Sequence, residues 1–441
     1  MLSTEDNKLV AQIGPGTMMG DVFRRYWLPL LLSSELPGPD SDPVRIRHLG
    51  EDLIAFRTTD GQVGLIQNNC PHRGASLFFG RNEENGLRCV YHGWKFDVSG
   101  QCVDMPNEPA ESNFKNKVQA RAYPCRERNG VIWTYLGPKH LMPEDLPAFE
   151  WNLLPQSRVY ISKRYQECNW AQALEGGIDS THSAFLHSRP SGNNVLDTES
   201  RSTRGMEIRM KHKHAHFECL ETDYGLWVAA RRDAGEEEYY WRITQFLMPS
   251  YSMIPPYGLG SIGGHAWVPM DDHTTMSWSV TWNPLRDLSE KEMAGLRSGG
   301  GIHLNLDNRL PLTTQPGGTW RSAANASNDY QRDREAMKTS TYSGIFGIAM
   351  QDQAMQESMG PIYDRTQEHL GTSDVGIIEA RRMWLKAARG LRDQGVAPVG
   401  SENPQAYNVR STAVIYPKDA DWVKLAAERM EARDGVLAES A

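Results

Sequence analysis

The sequence has no long hydrophobic run. Its longest apolar stretch, residues 27–32, is far too short to cross a bilayer, and the mean hydropathy is −0.56. There is no excess of basic charge, because 47 Lys and Arg stand against 55 Asp and Glu, so nothing indicates a nucleic-acid partner. The first residues are acidic where a secretory signal would be basic, and we therefore expect a cytoplasmic protein without a membrane anchor.

Cysteine is scarce as well, with six in 441 residues, which excludes a disulfide-stabilised scaffold. Two of the six stand in a recognisable pattern. The other four lack paired spacing, and we expect them to be buried free thiols: Cys102, Cys125, Cys168 and Cys219. The sequence also lacks a nucleotide-binding fingerprint. For a redox reaction, the electrons would therefore have to come from a partner protein.

The two patterned cysteines belong to the most informative stretch of the chain. Cys70-Pro-His72-Arg-Gly is followed, with sixteen residues between His72 and Cys89, by Cys89-Val-Tyr-His92-Gly-Trp. Two loops that each offer a thiolate and an imidazole can hold a tetrahedral zinc ion, or a [2Fe–2S] cluster with the cysteines on one iron and the histidines on the other. The glycine after each pair favours paired loops over a zinc finger, which needs a helix carrying two histidines.

These residues resemble the Rieske signature, including the adjoining Pro-His-Arg-Gly and Tyr-His-Gly-Trp. The resemblance implies an all-β domain with the cluster at one tip, ligated by Cys70, His72, Cys89 and His92. Neutral imidazoles in place of two thiolates reduce the negative charge of the cluster and raise its reduction potential.

A second informative stretch, residues 169–187, contains Asp179, His182 and His187. On a helix, Glu175, Asp179 and His182 would share one face, whereas His187 could join them only if the helix ended or bulged there. Two histidines and a carboxylate are the ligands expected for oxygen-activating non-haem iron(II). Asp179 is itself a possible carboxylate ligand, because it lies one helical turn from His182.

Behind a Rieske signature, this stretch resembles the catalytic helix of the Rieske non-haem iron oxygenases, and the likeness extends over most of the chain. It implies that Asp352 is the third iron ligand, with Glu357 and Asp364 as the fallback candidates. It also implies that Asp179 bridges the iron site of one subunit to a cluster histidine, His92 or His72, of its neighbour in a ring-shaped trimer. An ionised carboxylate can hold two imidazole N–H groups at once.

The pattern along the chain predicts an α+β protein. We expect a helical lead-in (1–26), an all-β Rieske domain (27–137) and a larger catalytic domain (138–441) with an antiparallel sheet flanked by helices, a helix-grip-like arrangement. Four prolines between residues 138 and 155 mark the boundary. The glycine-rich segment 286–316 is typical of a mobile lid, and long helices are predicted over 342–369 and 373–393.

The family resemblance implies the oxygenase component of a multicomponent system, in the phthalate dioxygenase-like branch, supplied by a separate NADH-dependent flavin reductase with or without a ferredoxin. An aromatic carboxylate substrate would favour an arginine, and the candidates are Arg242, Arg204 and Arg209. Each is about equally compatible with an ordinary charge on the surface of a strand. The alternatives are an O-demethylating or monohydroxylating enzyme, a Rieske electron carrier fused to a ligand-binding domain, and a zinc-stabilised interaction protein.

Overall fold

The computed structural model describes residues 1–109, 111–188, 204–256 and 261–432. The chain begins with two short helices, α1 (Thr4–Ala11) and α2 (Met18–Phe23), each capped by the hydroxyl of the preceding Ser or Thr. Both helices pack against a long helix near the other end of the chain, and the Phe23 ring lies 4.7 Å from that of Trp170. The lead-in therefore joins the two ends of the chain.

Three small antiparallel sheets follow, with strand orders β1-β11-β10, β2-β3-β4-β9 and β5-β6-β7-β8. Their strands are β1 (Leu28–Leu32), β2 (Val44–His48), β3 (Glu51–Arg57), β4 (Val63–Gln67), β5 (Arg81–Glu83), β6 (Gly86–Arg88), β7 (Lys95–Phe96), β8 (Cys102–Asp104), β9 (Ala122–Tyr123), β10 (Cys125–Arg128) and β11 (Val131–Thr134). The all-β character predicted for this part of the chain is confirmed. The division after residue 137 stays a prediction.

The C-terminal part is built on one eight-stranded antiparallel sheet of order β12-β18-β17-β16-β15-β14-β13, with β19 paired to β15. Its strands are β12 (Val159–Gln166), β13 (His216–Glu221), β14 (Gly225–Asp233), β15 (Glu238–Leu247), β16 (Tyr251–Ile254), β17 (Ile262–Pro269), β18 (Thr275–Trp282) and β19 (Thr412–Pro417). The later helices are α3 (Glu150–Leu153), α4 (Trp170–Ile178), α5 (Arg204–Lys211), α6 (Glu290–Arg297), α7 (Ala336–Thr339), α8 (Ile348–Ser358), α9 (Val375–Gln394) and α10 (Trp422–Met430). Among the described residues, none of the helices is long and apolar enough to cross a membrane.

Helix α4 lies directly on the sheet because its last turn carries two glycines. A Cβ at Gly177 would stand 2.9 Å from the Trp267 ring of β17, and one at Gly176 would stand 2.5 Å from the Gln356 side chain of α8. The Gly176-Gly177 pair thus lets α4 approach β17 on one side and α8 on the other. The end of α4 and the face of α8 are brought together in this way.

Three expectations for this half of the chain are corrected. The helix predicted over 342–369 spans only Ile348–Ser358, because Gly347 and Gly360 adopt positive φ on either side of it. Segment 286–316 is not a free lid, since it contains α6 and buries His303 and Leu304 in the interior. The arginines expected on strands at 204 and 209 lie on α5.

Helix α4 is tied to the C-terminal helices by buried charge. Glu175 accepts from the Arg365 guanidinium at 3.1 Å and from that of Arg381 at 2.8 Å, and Arg381 also pairs with buried Glu368. Burial raises the pKa of Glu175, but the two guanidinium groups outweigh it and hold that pKa below its usual range. Glu175, predicted to share a face with Asp179 and His182, is instead a structural residue.

Replacing Arg381 with alanine is expected to lower the apparent free energy of unfolding by about 3–5 kcal/mol, because buried Glu368 would lose its guanidinium partner and buried Glu175 would keep only Arg365 of its two. Urea denaturation of the purified chain measures it. The adjacent Arg382 is the matched control, since it is 70% exposed and forms an ion pair with Glu379 at the surface. Its alanine variant should lose no more than about 1 kcal/mol. Equal losses of unfolding free energy in the two variants would show that the buried ion pairs of Arg381 stabilise the fold no more than a surface ion pair does.

Candidate metal centres and active site

The first candidate centre lies at the tip of the small sheets, where two turns have the same hydrogen bonds. Gly74 N–H donates to the Cys70 carbonyl and Gly93 N–H to the Cys89 carbonyl, both at 2.9 Å. Gly74 and Gly93 adopt φ of 78° and 81°, a conformation that residues with a Cβ rarely take. The glycines singled out in the sequence therefore shape both loops.

The four side chains converge as a ligand set. The two cysteines are buried, and the His72 and His92 rings are 4.5 Å apart and only partly covered. Burial, with the neighbouring Cys89 thiol, raises the pKa of Cys70 to about 11, so an incoming cation must displace the thiol proton. The Nδ1 atom of His92 is buried without a hydrogen-bond partner, as suits an atom that binds metal.

Trp94 holds this tip together. Its ring stacks on His72 with 4.4 Å between centroids, and its indole N–H donates to the Asn107 side chain at 2.8 Å. The ring of His72 is thereby fixed in orientation, while Val90 and Tyr91 beside the histidines are exposed. His72 and His92 are themselves only partly covered, so part of each imidazole is accessible at the surface.

The second candidate centre is a triad of donor side chains, His182, His187 and Asp352. His182 Nε2 and His187 Nε2 are 3.2 Å apart, and Asp352 Oδ1 lies 3.5 Å from the first and 3.3 Å from the second. Ligands at right angles on bonds of about 2.1 Å stand about 3.0 Å apart, so this set fits around one ion with little adjustment. Within the described ranges, it is the group of three that satisfies the geometry of a metal site.

The local backbone explains how His187 reaches the cluster. Helix α4 ends at Ile178, Asp179 is extended, and a short 3₁₀ turn carries His182–Ala184. The Asp179 carboxylate accepts the Thr181 N–H at 2.7 Å, a turn that competes with continued helix. The expectation of one continuous helical face through His182 is therefore wrong, whereas the required helix ending does occur, nine residues before His187.

Each histidine of the triad has a polar side chain near its Nδ1 atom. His187 Nδ1 lies 2.7 Å from the Gln351 side-chain oxygen, and the Gln351 amide in turn donates to the Ile345 carbonyl at 2.8 Å. Since that oxygen can only accept, the Nδ1 atom carries the proton and Nε2 presents its lone pair, as a metal ligand must. Asp179 stands 3.4 Å from His182 Nδ1 and is itself partly exposed.

A buried arginine, Arg164, adds positive charge near the triad. Arg164 of β12 is fully buried, and its Nε and Nη1 atoms have no hydrogen-bond partner. Burial raises the pKa of Asp352, but the His187 and His182 imidazoles and the Arg164 charge outweigh it and lower that pKa to about 2. Asp352 is therefore ionised at neutral pH, as a metal ligand must be.

The fallback carboxylates lie elsewhere. Glu357 accepts from the Tyr330 hydroxyl, the Gln353 amide and the Glu167 backbone N–H. Asp364 is exposed and caps its own turn through Thr366. Gln351 and Arg164 were missed from the sequence, because nothing in their spacing links them to His187 or Asp352. The packing of α8 against the turn after α4 is what places Gln351 beside His187.

The three candidate arginines differ in burial. Arg242 of β15 and Arg209 of α5 are buried, whereas Arg204 is half exposed and pairs with Glu238 at the surface. Gly205 of α5 packs on the Tyr240 ring, and Tyr240 shares its face of β15 with Arg242. Helix α5 thus covers the face of the sheet that carries Arg242, with Arg209 one turn after Gly205.

Comparison with known proteins decides between the remaining alternatives. The Rieske [2Fe-2S] domain model matches residues 26–124, and the model described as LigXa C-terminal domain like matches residues 134–440. The chain belongs to the Rieske oxygenase subunits. The zinc protein and the electron carrier without oxygenase chemistry are thereby set aside.

Two relatives place this Rieske oxygenase in the phthalate dioxygenase-like branch. The 3-chlorobenzoate-3,4-dioxygenase oxygenase subunit of Comamonas testosteroni is 39% identical over 98% of this chain and 99% of its own length. The phthalate 4,5-dioxygenase oxygenase subunit of Pseudomonas putida is 39% identical over 96% of this chain and 94% of its own. Dicamba monooxygenase bound to dicamba has the same fold, with a TM-score of 0.56 at 18% identity over 83% of this chain and 97% of that one.

Replacing Gln351 with leucine is expected to weaken binding of ferrous ion by about 10–100-fold, because the His187 Nδ1–H would lose the acceptor that fixes its tautomer. Equilibrium dialysis of the apo-protein against Fe(II) measures this. Gln353, two residues along α8, is the control: its amide contacts Tyr165 and Glu357, so its leucine variant should keep wild-type affinity. Unchanged affinity in the Gln351 variant would contradict the orienting role.

Proposed function

We propose that this Rieske oxygenase uses O2 and externally supplied electrons to hydroxylate an aromatic carboxylate of the benzoate or phthalate class. Cys70, His72, Cys89 and His92 hold the [2Fe–2S] cluster, and His182, His187 and Asp352 hold a mononuclear ferrous ion. The convergence of three donor atoms within 3.5 Å at the end of α4 is the observation that carries the proposal. A ferrous ion bound there would supply the oxygen-activating chemistry.

The residues around the triad prepare it for this task. Gln351 keeps His187 in the tautomer whose Nε2 can bind the ion, and the Asp179 carboxylate lies 3.4 Å from the Nδ1 atom of His182. Two histidines and one carboxylate would leave coordination positions of the ferrous ion open on the side that faces the substrate. The buried Arg164 charge offsets part of the negative charge that Asp352 brings into the interior.

Electrons reach the cluster from a separate protein, since the sequence carries no nucleotide fingerprint. We propose an NADH-dependent flavin reductase, with or without a ferredoxin. We further propose a homotrimer in which Asp179 links His182 to His92 or His72 of a neighbouring subunit. Apolar side chains are exposed beside the cluster (Val90, Tyr91) and beside the triad (Phe185, Phe346), as an interface between these two regions needs.

The substrate class rests on the two buried arginines. A guanidinium removed from water is stabilised by a carboxylate, which it can hold through two parallel hydrogen bonds. Arg242 and Arg209 stand on facing elements, and we propose that one or both bind the substrate carboxylate. The relatives named for 3-chlorobenzoate and phthalate support the same class.

Replacing Arg242 with methionine is expected to raise the KM for 3-chlorobenzoate or phthalate by about 10–100-fold, because a charge-assisted hydrogen bond contributes about 1.5–3 kcal/mol. Steady-state turnover with a generic reductase measures it, and the neutral methyl ester should show no such change. Arg204→Met is the control and should behave as wild type. Unaltered KM for the acids, or turnover of aromatic ethers alone by demethylation, would overturn the assignment.

A further inference from the structure

Helix α8 carries Asp352, and the rotation of the helix about its own axis decides where that carboxylate lies. A side-chain carboxylate stands about 5–6 Å from the axis of a helix, so a rotation of about 20° would move it by about 2 Å. The distances from a metal ion to its ligands tolerate a deviation of only about 0.2 Å. The triad therefore needs contacts on more than one side of α8 that fix its rotation.

Two glutamines hold the side of α8 that faces the triad and α4. Gln351 contacts His187 through its side-chain oxygen. Gln356 is buried, donates to the Ala173 carbonyl of α4 at 3.2 Å and accepts from the Gln166 amide of β12 at 2.8 Å. Both positions lie within about 100° of the metal ligand around the helix axis. The far side of α8 needs a separate contact.

Glu357 provides that contact, about 140° around the helix from Asp352. Its carboxylate accepts the backbone N–H of Glu167, just after β12, at 2.8 Å, the Gln353 amide at 2.7 Å and the Tyr330 hydroxyl. Gln353 belongs to α8 itself, so the restraint on the helix comes from the Glu167 backbone and from Tyr330.

Tyr330 reaches Glu357 from a left-handed turn. Asp329, Tyr330 and Gln331 adopt φ of 51°, 56° and 53°, three successive positive values without a glycine. Residues with a Cβ take this conformation singly, and strain of this kind persists where the surrounding structure enforces it. Asp329 and Gln331 are exposed, whereas the Tyr330 side chain packs against an apolar cluster that includes Met350 of α8. The strained turn thus directs one side chain, that of Tyr330, to α8.

We propose that Tyr330 is a positioning residue for the iron site: its hydroxyl, bonded to Glu357, fixes the rotation of α8 and so the place of Asp352 in the triad. This inference rests on the proposed function, since it takes the triad to hold Fe(II). Loss of the hydroxyl removes one of the two restraints at Glu357, and the rotation that suits the ion is then populated less often. The apparent affinity for Fe(II) falls by the same fraction.

The test is titration with Fe(II) of the full-length chain, with its cluster in place, after a chelator has removed the mononuclear iron. Tyr330→Phe keeps the ring and is expected to weaken Fe(II) binding about fivefold, with the sulfide content unchanged. The near-infrared ligand-field bands of the bound ferrous ion should shift, because Asp352 moves relative to the two imidazoles. Amide hydrogen exchange in the iron-free protein should quicken in α8 and not in α9. Tyr342→Phe, at an exposed tyrosine of the same region, is the matched control and should behave as wild type.

The variant Asp329→Gly separates positioning from general stability. It relieves part of the strain and keeps the Tyr330 hydroxyl, so it should unfold no more readily than wild type and bind Fe(II) within about twofold as tightly. Equal Fe(II) affinity and equal exchange in Tyr330→Phe and wild type would overturn the role of Tyr330 and leave the proposed iron site intact. Weaker binding with unshifted ligand-field bands would also overturn it, since Asp352 would not have moved. A wild-type chain that takes up no Fe(II) would instead overturn the proposed function, and this inference with it.

Discussion

Replacing Asp352 with alanine is expected to abolish turnover and to lower the iron content from about three atoms per subunit to about two, leaving the sulfide unchanged. The reason is geometric: among the residues that the structure describes, Asp352 supplies the one carboxylate oxygen within 3.5 Å of both histidine Nε2 atoms, and two imidazoles alone hold ferrous ion weakly. Iron and sulfide analysis, together with product formation at saturating reductase, measures the change.

The control for this experiment is Asp364→Asn. Asp364 was a fallback ligand from the sequence, but it is an exposed turn residue, so its variant should keep all three irons and full activity. An Asp352 variant that still binds the third iron and turns over would remove the triad from the mechanism. Loss of the mononuclear iron and the [2Fe–2S] cluster together would point to unfolding instead, and circular dichroism distinguishes that case.

The second large effect is expected at Asp179. Its replacement by asparagine should lower turnover by about 100-fold while both iron centres stay occupied, because the neutral amide cannot hold two imidazole N–H groups. The readout that isolates electron transfer is a single turnover, in which the reduced cluster is mixed with substrate and O2. Cluster reoxidation should be slowed as much as product formation.

Thr181→Val supplies a graded comparison for this effect. It removes the hydroxyl that donates to the Asp179 carboxylate at 2.7 Å but keeps the charge of that carboxylate. Its effect should accordingly be less than about tenfold. If Asp179→Asn kept full product formation with both metals bound, the bridge between subunits would be refuted. A slow product step with normal cluster reoxidation would place Asp179 in the chemistry at the triad.

The short-range features of both candidate centres could be predicted from the sequence. The glycines after each Cys–His pair mark the loops because a tight turn needs positive φ there, which is a local requirement. His182, His187 and Asp352 were named together by family resemblance, and no spacing rule joins residues so far apart.

What the sequence did not reveal depends on packing. The helix pattern continued past Ile178, but the hydrogen bonds from Thr181 to Asp179 end α4 earlier. Gln351 was one polar residue among several on α8 until the approach of α4 brought His187 to it. Glu175 was read as part of a helical face with Asp179, because its partners Arg365 and Arg381 lie some 200 residues away. Long-range pairing of this kind leaves no local signal.

The existence of two separate iron centres is tested most directly by elemental and spectroscopic analysis of the purified wild-type chain, before and after treatment with a ferrous chelator. We expect a red-brown protein with about three irons and about two sulfides per subunit, which loses one iron and all activity on chelation and regains both with Fe(II). Iron confined to the sulfide-containing centre, with His182, His187 and Asp352 unable to take up ferrous ion, would contradict it.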